Sequence, residues 1–462
     1  MPRPTPITLN DLRGTARLAT DATLGVTAVV EAMHARIAGI VPWSMSGAGT
    51  GAGSGASGNG TGAGSGAAPE RTRRLTGLVY GGVRGITRLA GSGADTLLAL
   101  AGALRPTASA SAAGSLADSL ASTPGAEPPH PGREAALAVL NGVLGDHLAD
   151  TGNPLAVTMA LRHRGQPLRL ERQALAQALP HAGPRLLVLL HGLCMNDLQW
   201  QREGHDHGAM LARDAGWTPV YLLYNSGLPI ARNGRLLAAL LQDLLAAWPQ
   251  PLQRVALLGH SMGGLLARSA LHHGQQAGHD WPQRVQDLVM LGSPHHGAPL
   301  ERAGHALDRL LAALPYASPL SRLGQVRSAG ITDLRHGRVH DDDDAAGTLP
   351  QPQPAGVVGG LPAGLRLHAV AAQLGEAEAP GETALGPLRR GTAGPPWRHR
   401  VLNAALGHGD GLVPRDSALG VHADPARSLP IAPERQAVVH GIGHLALLSD
   451  PAVAARLRQW LA

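Results

Sequence analysis

A tight turn between an apolar segment and a helix-forming segment restricts the fold of this chain more than any other feature. The apolar segment is Val255–Leu258, the turn is Gly-His-Ser-Met-Gly at 259–263, and a helix is predicted from Leu265 onward. A strand that turns this sharply into a helix leaves no room for side chains two residues either side of its central residue, which explains glycine at both ends of the pentapeptide. The pattern therefore predicts that Ser261 is lifted clear of a sheet, with its hydroxyl at the N-terminus of a helix.

Apolar segments of strand length alternate with amphipathic helices on both sides of this turn. We predict strands over Arg185–Leu190, Pro219–Tyr224, Arg254–Leu258, Val285–Leu291, Leu365–Ala371 and Val401–Ala405, and helices over Asn233–Trp248, Met262–His273 and 451–461. Strands that are apolar on both faces are buried on both faces. The fold class is therefore α/β, with a mostly parallel sheet covered by helices on both sides.

Composition changes along the chain predict its division into segments. Residues 1–44 form an amphipathic helical segment, and the Gly/Ser-rich residues 45–70 form a linker. Residues 71–160 form a helical accessory region with a disordered Pro/Ser-rich stretch. Residues 161–462 form the α/β domain, in which an insertion over about 298–360 is expected to make a helical cap above a pocket.

One predicted helix of the accessory region, about 134–150, has two interpretations. Its apolar positions recur at helical spacing. It either packs against the α/β domain that follows it, or docks with the other N-terminal helices on a lipid surface or on another chain.

The exposed hydroxyl of Ser261 is a weak nucleophile unless a base takes its proton and a third group orients that base. Asp410 lies in a glycine-rich loop late in the chain and is the predicted acid, with Asp416 as the alternative. His444 follows a short apolar strand and a second glycine-rich loop, and is the predicted base. His440 is the alternative base, although its position fits the end of that strand better. The order serine, acid, histidine is the order of this kind of strand–turn–helix nucleophile.

Two backbone N–H groups are predicted to stabilise an oxyanion. One belongs to Met262, the residue after the nucleophile, and the other to Leu193, in the His-Gly-Leu loop that follows the strand Arg185–Leu190. Cys194 lies next to this loop but has no base placed for it, so we interpret it as a small buried residue.

Together these motifs resemble the lipase and esterase branch of the α/β-hydrolase superfamily. The acid loop is similar to that of bacterial triacylglycerol lipases and of inositol-deacylase-like enzymes. The matching segments are Leu189–Leu193, Gly259–Gly264, Gly292–Gly297, Gly409–Val413 and His444–Leu448, so the resemblance covers roughly 185–461. It implies an α/β-hydrolase fold and a cofactor-free serine hydrolase that cleaves carboxylic esters of apolar, lipid-like acyl groups.

Two other functions stay open at this point. The same catalytic residues could cleave amides or thioesters. Alternatively, the chain could be a non-catalytic protein that keeps the hydrolase fold and associates with lipid surfaces through its N-terminal helices.

Charge and residue usage exclude several partner classes. The net charge is +6, but no Arg-rich run with interleaved aromatic residues occurs, so nucleic-acid binding is not expected. The run Asp341–Asp344 is interpreted as a solvated loop, and His205–His207 as structural, so no metal site is predicted. The single cysteine excludes an internal disulfide, and the sequence has neither a secretory signal pattern nor a long apolar run. We therefore expect a cytoplasmic protein, or one peripheral to a membrane or lipid surface.

Overall fold

A computed structural model of the chain describes residue 8 and residues 10–21, 131–297, 328–340, 361–375 and 409–462. The chain divides into two compact units, of which the larger contains 113–152 and 156–462. The smaller unit contains 7–112 and 153–155; within it residues 10–21 are helical, and the Asn153 side chain donates a hydrogen bond to the Gly14 carbonyl at 3.1 Å.

Several sequence predictions lie outside the described residues. They are the linker 45–70, the disordered stretch of the accessory region, the strand Val401–Ala405, the run Asp341–Asp344 and all of the predicted cap except 328–340. Among the helices that the structure describes, none is long and apolar enough to cross a membrane.

Eight strands of the described residues form one sheet. They are β1 Ala160–His163, β2 Gln166–Pro167, β3 Arg185–Leu190, β4 Thr218–Leu223, β5 Arg254–His260, β6 Val285–Leu291, β7 Arg366–Gln373 and β8 Gln436–His440. Their order is β2-β1-β4-β3-β5-β6-β7-β8, and all pairs from β4 to β8 are parallel. Among the described strands, the antiparallel pairs are those of β1 with β2 and of β1 with β4. This confirms the predicted mostly parallel sheet.

Helices connect and cover these strands. They are α1 Pro131–Asp150, α2 Arg172–Ala178, α3 His207–Ala215, α4 Ile230–Ala247, α5 Met262–Gln276, α6 Ala329–His336, α7 Arg415–Ala418 and α8 Pro451–Leu461. Helices α4 and α5 pack together, as do α3 and α8. The strands β3, β5 and β6 are almost entirely buried, as their uninterrupted apolar sequences require.

The structure adds short elements that periodicity did not reveal. Strand β1 has four residues, of which only Leu161 is buried, so its alternation is too short to read. Helix α4 begins at Ile230 rather than at Asn233, because the chain enters the helix directly after Pro229. The side chain of Asn233 then faces inward and donates a hydrogen bond to the Asn225 carbonyl at 2.9 Å.

Helix α1 belongs to the same compact unit as the sheet and packs closely on its loops. Gly142 lies against Cys194, where a Cβ atom would overlap the thiol and stand 2.9 Å from the Cys194 Cα. One turn on, the Gly145 carbonyl accepts a hydrogen bond from the Asn225 side chain at 2.8 Å. The Ser328 hydroxyl donates to the Gly142 carbonyl at 2.7 Å, which ties α6 to the same helix. Small residues on one face of α1 therefore allow close contact with the loops that follow β3 and β4.

A buried ion cluster joins three strands near their N-terminal ends. Asp287 of β6 accepts hydrogen bonds from Arg366 at 2.6 Å and 2.8 Å, from Arg254 at 3.1 Å and from His368 at 3.0 Å. Burial alone would raise the pKa of Asp287, but the hydrogen bonds from His368, Arg366 and Arg254 outweigh it and lower that pKa well below its ordinary value. The cluster fixes β5, β6 and β7 relative to one another.

Candidate active site

The turn between β5 and α5 has the strained geometry that the sequence predicts. Ser261 has φ 54° and ψ −121°, a conformation that L-residues rarely adopt. Its N–H donates to the Leu291 carbonyl at 2.8 Å, which holds the turn against β6. A Cβ atom on Gly259 would overlap the Gly264 N–H, and one on Gly263 would overlap the Leu190 carbonyl. The two glycines are therefore needed because the turn presses against its own helix and against β3.

Asp410 and His444 meet at the C-terminal edge of the sheet. The His444 Nδ1 and the Asp410 Oδ2 are 2.6 Å apart, and both side chains are buried. The other carboxylate oxygen of Asp410 accepts the N–H groups of Leu412 at 2.9 Å and Val413 at 2.8 Å. The carboxylate is thus fixed in one orientation, with one oxygen left for the imidazole.

The His444 ring lies beside the turn that carries Ser261. A Cβ atom on Gly292 would be 3.0 Å from His444 Cε1. Gly292 directly follows Leu291, whose carbonyl accepts the Ser261 N–H. The structure therefore brings Ser261, Asp410 and His444 to one place, around the end of β6.

The loop after β3 approaches the same serine. A Cβ atom on Gly192 would be 3.2 Å from the Ser261 Cβ, so only glycine allows this approach. The N–H groups of Leu193 and Met262 have no hydrogen-bond acceptor among the residues that the structure describes. Cys194 has a positive φ of 59°, and its N–H donates to the Ser226 hydroxyl at 3.0 Å. Two N–H donors without an acceptor among the described residues thus border Ser261, one at the start of α5 and one in the loop that Cys194 holds in place.

The His260 ring contacts the backbone and the ring of His444, a role that the sequence did not indicate. Its Nε2 is 3.3 Å from the His444 carbonyl oxygen, and the two rings are 4.8 Å apart. Burial, together with the neighbouring His444 ring, holds the pKa of His260 well below its ordinary value. His260 is therefore neutral, and its Nε2–H donates to the backbone of His444.

Two further contacts hold the loops of the site together. The N–H of His296, in the loop after β6, donates to the Ser417 hydroxyl of α7 at 3.1 Å, and that hydroxyl donates to the Gly297 carbonyl at 2.9 Å. Since α7 follows the loop of Asp410, this fixes the acid loop to β6. The His207 Nε2 lies 3.0 Å from the Leu447 carbonyl oxygen, in the 3-10 helix that begins at His444.

A family model described as the PGAP1-like alpha/beta domain matches residues 230–349. This segment contains α4, β5, the strained turn, α5 and β6, in the strand–turn–helix arrangement described above. Residues 230–349 of the chain are therefore similar to a PGAP1-like alpha/beta domain. This match supports the superfamily that the sequence motifs predicted.

Solved structures similar to this chain include three lipases and esterases. The mature Bacillus licheniformis lipase BlEst2 is 19% identical over 61% of this chain and 94% of its own, with a TM-score of 0.39. The Pyrococcus furiosus esterase Pf2001 is 12% identical over 61% of this chain and 83% of its own, with a TM-score of 0.35. The Aspergillus fumigatus lipase B is 12% identical over 59% of this chain and 52% of its own, with a TM-score of 0.35. A search of curated proteins found no match.

The family match covers only part of the candidate site of this chain. Ser261 and Met262 lie within 230–349, whereas Leu193, Asp410 and His444 lie outside it. The assignment of these three residues therefore rests on the geometry of the loops rather than on the family match.

The alternative acid and base lie apart from the site. Asp416 is on α7, where its carboxylate accepts a hydrogen bond from the exposed neighbour Arg415 at 3.2 Å. His440 is exposed at the end of β8, the strand-end position that its sequence suggested. Neither shares the buried hydrogen bond that joins Asp410 to His444.

The other candidate reactive side chains, those of His205–His207 and Cys194, make structural contacts. The His205 Nε2 lies 2.8 Å from the His207 Nδ1, while Asp206 caps α3 and accepts the Tyr221 hydroxyl at 2.7 Å. Within the part of the chain that the structure describes, no group of three metal-ligating residues converges. Cys194 is buried, and burial raises the pKa of its thiol to about 12, which keeps it protonated.

Proposed function

We propose that this chain is an α/β-hydrolase, a serine esterase that cleaves carboxylic esters through a covalent acyl-enzyme. The observation that carries the proposal is the 2.6 Å hydrogen bond between buried His444 Nδ1 and Asp410 Oδ2, next to a serine held at φ 54°. An imidazole that donates from Nδ1 to a carboxylate keeps Nε2 free to accept a proton.

In the proposed reaction His444 Nε2 takes the proton of the Ser261 hydroxyl while Oγ attacks the ester carbonyl carbon. The carbonyl π electrons move to oxygen, and the N–H groups of Leu193 and Met262 stabilise that oxyanion. When the oxyanion collapses, the bond to the leaving oxygen breaks and the protonated His444 gives its proton to the alcohol. Water, activated by the same imidazole, then releases the acid from Ser261.

Apolar side chains around the base support a preference for apolar acyl groups. Leu374 follows β7, is 45% exposed, and its methyl groups lie near Gly411 of the acid loop and Gly443 before the base. Leu412 and Ile442 are partly buried in the same loops. An exposed leucine between the acid and base loops favours a lipid-like substrate over a charged one.

The test is hydrolysis of a panel of p-nitrophenyl esters of increasing acyl length. We expect Ser261→Ala to lose activity on every ester and to lose labelling by a fluorophosphonate probe. The matched control is Ser269→Ala, which removes another buried hydroxyl of α5, one that donates to the Ile230 carbonyl at 3.4 Å. Full activity of Ser261→Ala would refute the proposal. If activity were highest on the shortest ester, the proposed preference for lipid-like substrates would be refuted, and the proposed esterase activity would stand.

We further propose that the N-terminal segment attaches a cytoplasmic enzyme to a lipid surface. The support is the amphipathic pattern of the predicted segment 1–44. Since α1 packs on the sheet loops, the test deletes 1–112 and keeps α1. We expect the deletion to keep ester hydrolysis and lose binding to anionic liposomes. Unchanged liposome binding with activity intact would contradict the proposal.

A further inference from the structure

Both nitrogens of the buried His191 ring have hydrogen-bond partners. The Nε2 accepts the backbone N–H of Tyr224 at 3.3 Å, and the Nδ1 is 2.8 Å from the Gly192 carbonyl oxygen. A nitrogen that accepts an N–H carries no proton of its own, so the proton of the neutral ring is on Nδ1. Burial lowers the pKa of His191 to about 3, which keeps the ring neutral. His191 therefore exists as one tautomer that donates to the Gly192 carbonyl.

Tyr224 also restricts movement of the His191 ring. The two rings stack with centroids 4.2 Å apart and planes inclined by 19°. The Tyr224 hydroxyl donates to the His191 carbonyl at 2.9 Å. Since neither residue is exposed by more than 2%, the ring cannot rotate without displacing packed neighbours.

The carbonyl that His191 holds belongs to the peptide unit whose N–H is the Leu193 donor. In a trans peptide the C=O and N–H groups are coplanar and point in opposite directions, and the described residues contain no cis peptide. The Met195 N–H also donates to this carbonyl, at 3.3 Å. An oxygen held on one side fixes the direction of the N–H on the other side, away from the His191 ring.

We propose that His191 is a positioning residue that aims the Leu193 N–H at the oxyanion by holding the Gly192–Leu193 peptide in one orientation. The inference rests on the proposed function, because it needs an oxyanion at that N–H. Tyr224 supports it by fixing both the tautomer and the position of the ring. His191 itself does not touch the substrate.

The test compares His191→Leu with His191→Asn. Leucine fills the space without a donor, whereas the asparagine amide N–H can replace the Nδ1–H. We expect His191→Leu to lower kcat by about 10²-fold, near the loss seen when an oxyanion donor is removed. KM should change by less than about two-fold, because an oxyanion contact forms mainly in the transition state. His191→Asn should recover most of the lost kcat.

A second readout separates orientation from loss of packing. An alkyl boronic acid forms a tetrahedral adduct with the nucleophile, so its inhibition constant should rise in His191→Leu in proportion to the fall in kcat/KM. Leu187→Ala removes buried volume from β3 without touching the loop, and serves as the control for reduced stability. Leu187→Ala should lower the midpoint of thermal unfolding, and its kcat and its inhibition constant for the boronic acid should stay near those of the wild type.

The outcomes distinguish this inference from the proposed function. If the wild type hydrolyses esters and His191→Leu keeps its kcat and boronate affinity, the positioning role is wrong and the esterase stands. Equal losses in His191→Leu and His191→Asn also overturn it, because a restored donor must restore function. If the wild type neither hydrolyses esters nor reacts with a fluorophosphonate, the proposed function itself has failed.

Discussion

Alanine in place of Gly142 would add a methyl group to α1 at its contact with the loop that carries the Leu193 N–H. The added Cβ would stand 2.9 Å from the Cys194 Cα and 3.0 Å from its nitrogen, and would overlap the thiol. Two of these atoms belong to the backbone, so no rotamer change relieves the contact. The loop, or the helix, has to move.

Two opposing effects determine the size of the change. In an unhindered helix interior alanine is about 1 kcal/mol more stable than glycine. Overpacking a close contact costs about 1 to 3 kcal/mol. Cys194 already has φ 59° and its N–H is held by Ser226, so the loop has little freedom to relax. The net effect we expect of Gly142→Ala is a free energy of unfolding lower by about 1 kcal/mol. We also expect kcat to fall by about 10-fold, because the Leu193 N–H shifts with Cys194.

Urea denaturation and p-nitrophenyl ester kinetics measure the two effects on the same sample. The matched control is Gly183→Ala, whose Cβ would have its nearest neighbours at 3.8 Å and should change neither quantity appreciably. A Gly142→Ala protein that is about 1 kcal/mol more stable than the wild type with unchanged kcat would refute the reasoning. That result would mean that α1 does not press against the loop.

Two other predictions concern buried carboxylates. Asp410→Asn should lower kcat about 10⁴-fold, the loss known for this change in Ser-His-Asp triads, without unfolding the protein, because an amide no longer fixes the His444 tautomer. Steady-state kinetics measure the loss in kcat and circular dichroism the folding, and a loss in kcat below ten-fold would exclude Asp410 as the orienting acid. Because the pKa of Asp287 is lowered in the folded state, its ionised form stabilises the fold above the unfolded-state pKa of about 3.9, and that stability is lost as the pH falls below it. Urea midpoints should therefore decline more steeply for the wild type than for Asp287→Asn as the pH falls from about 5 to 3, and parallel curves would contradict this linkage.

The sequence predicted those parts of the molecule that depend on neighbouring residues in the chain. The turn at Ser261 was recognisable because its glycines, strand and helix are all within a short segment, and the loops of Asp410 and His444 have similarly local glycine patterns. The strands β3, β5 and β6 were equally clear, since burial on both faces requires uninterrupted apolar residues.

Features that depend on contacts between distant segments were not predictable in this way. The tautomer of His191 is set by the Tyr224 N–H, which belongs to the loop after the neighbouring strand β4. The place of α1 depends on Gly142 meeting Cys194, and a helix with a weakly amphipathic sequence does not reveal which face it buries. The sequence indicated no role for His260, whose ring lies 3.3 Å from the His444 carbonyl oxygen, because that contact joins residues 184 positions apart.

The strand order also has a consequence for how the chain becomes active during synthesis. Translation completes β3 to β6, with the Ser261 turn and the Leu193 loop, before it reaches β7, the Asp410 loop and β8 with His444. A nascent chain that ends just before β8 therefore has the proposed nucleophile and acid but lacks His444, the base that takes the serine proton. Such a chain would be inert toward esters while it is still on the ribosome, and hydrolysis would begin only after the last strand is added to the edge of the sheet.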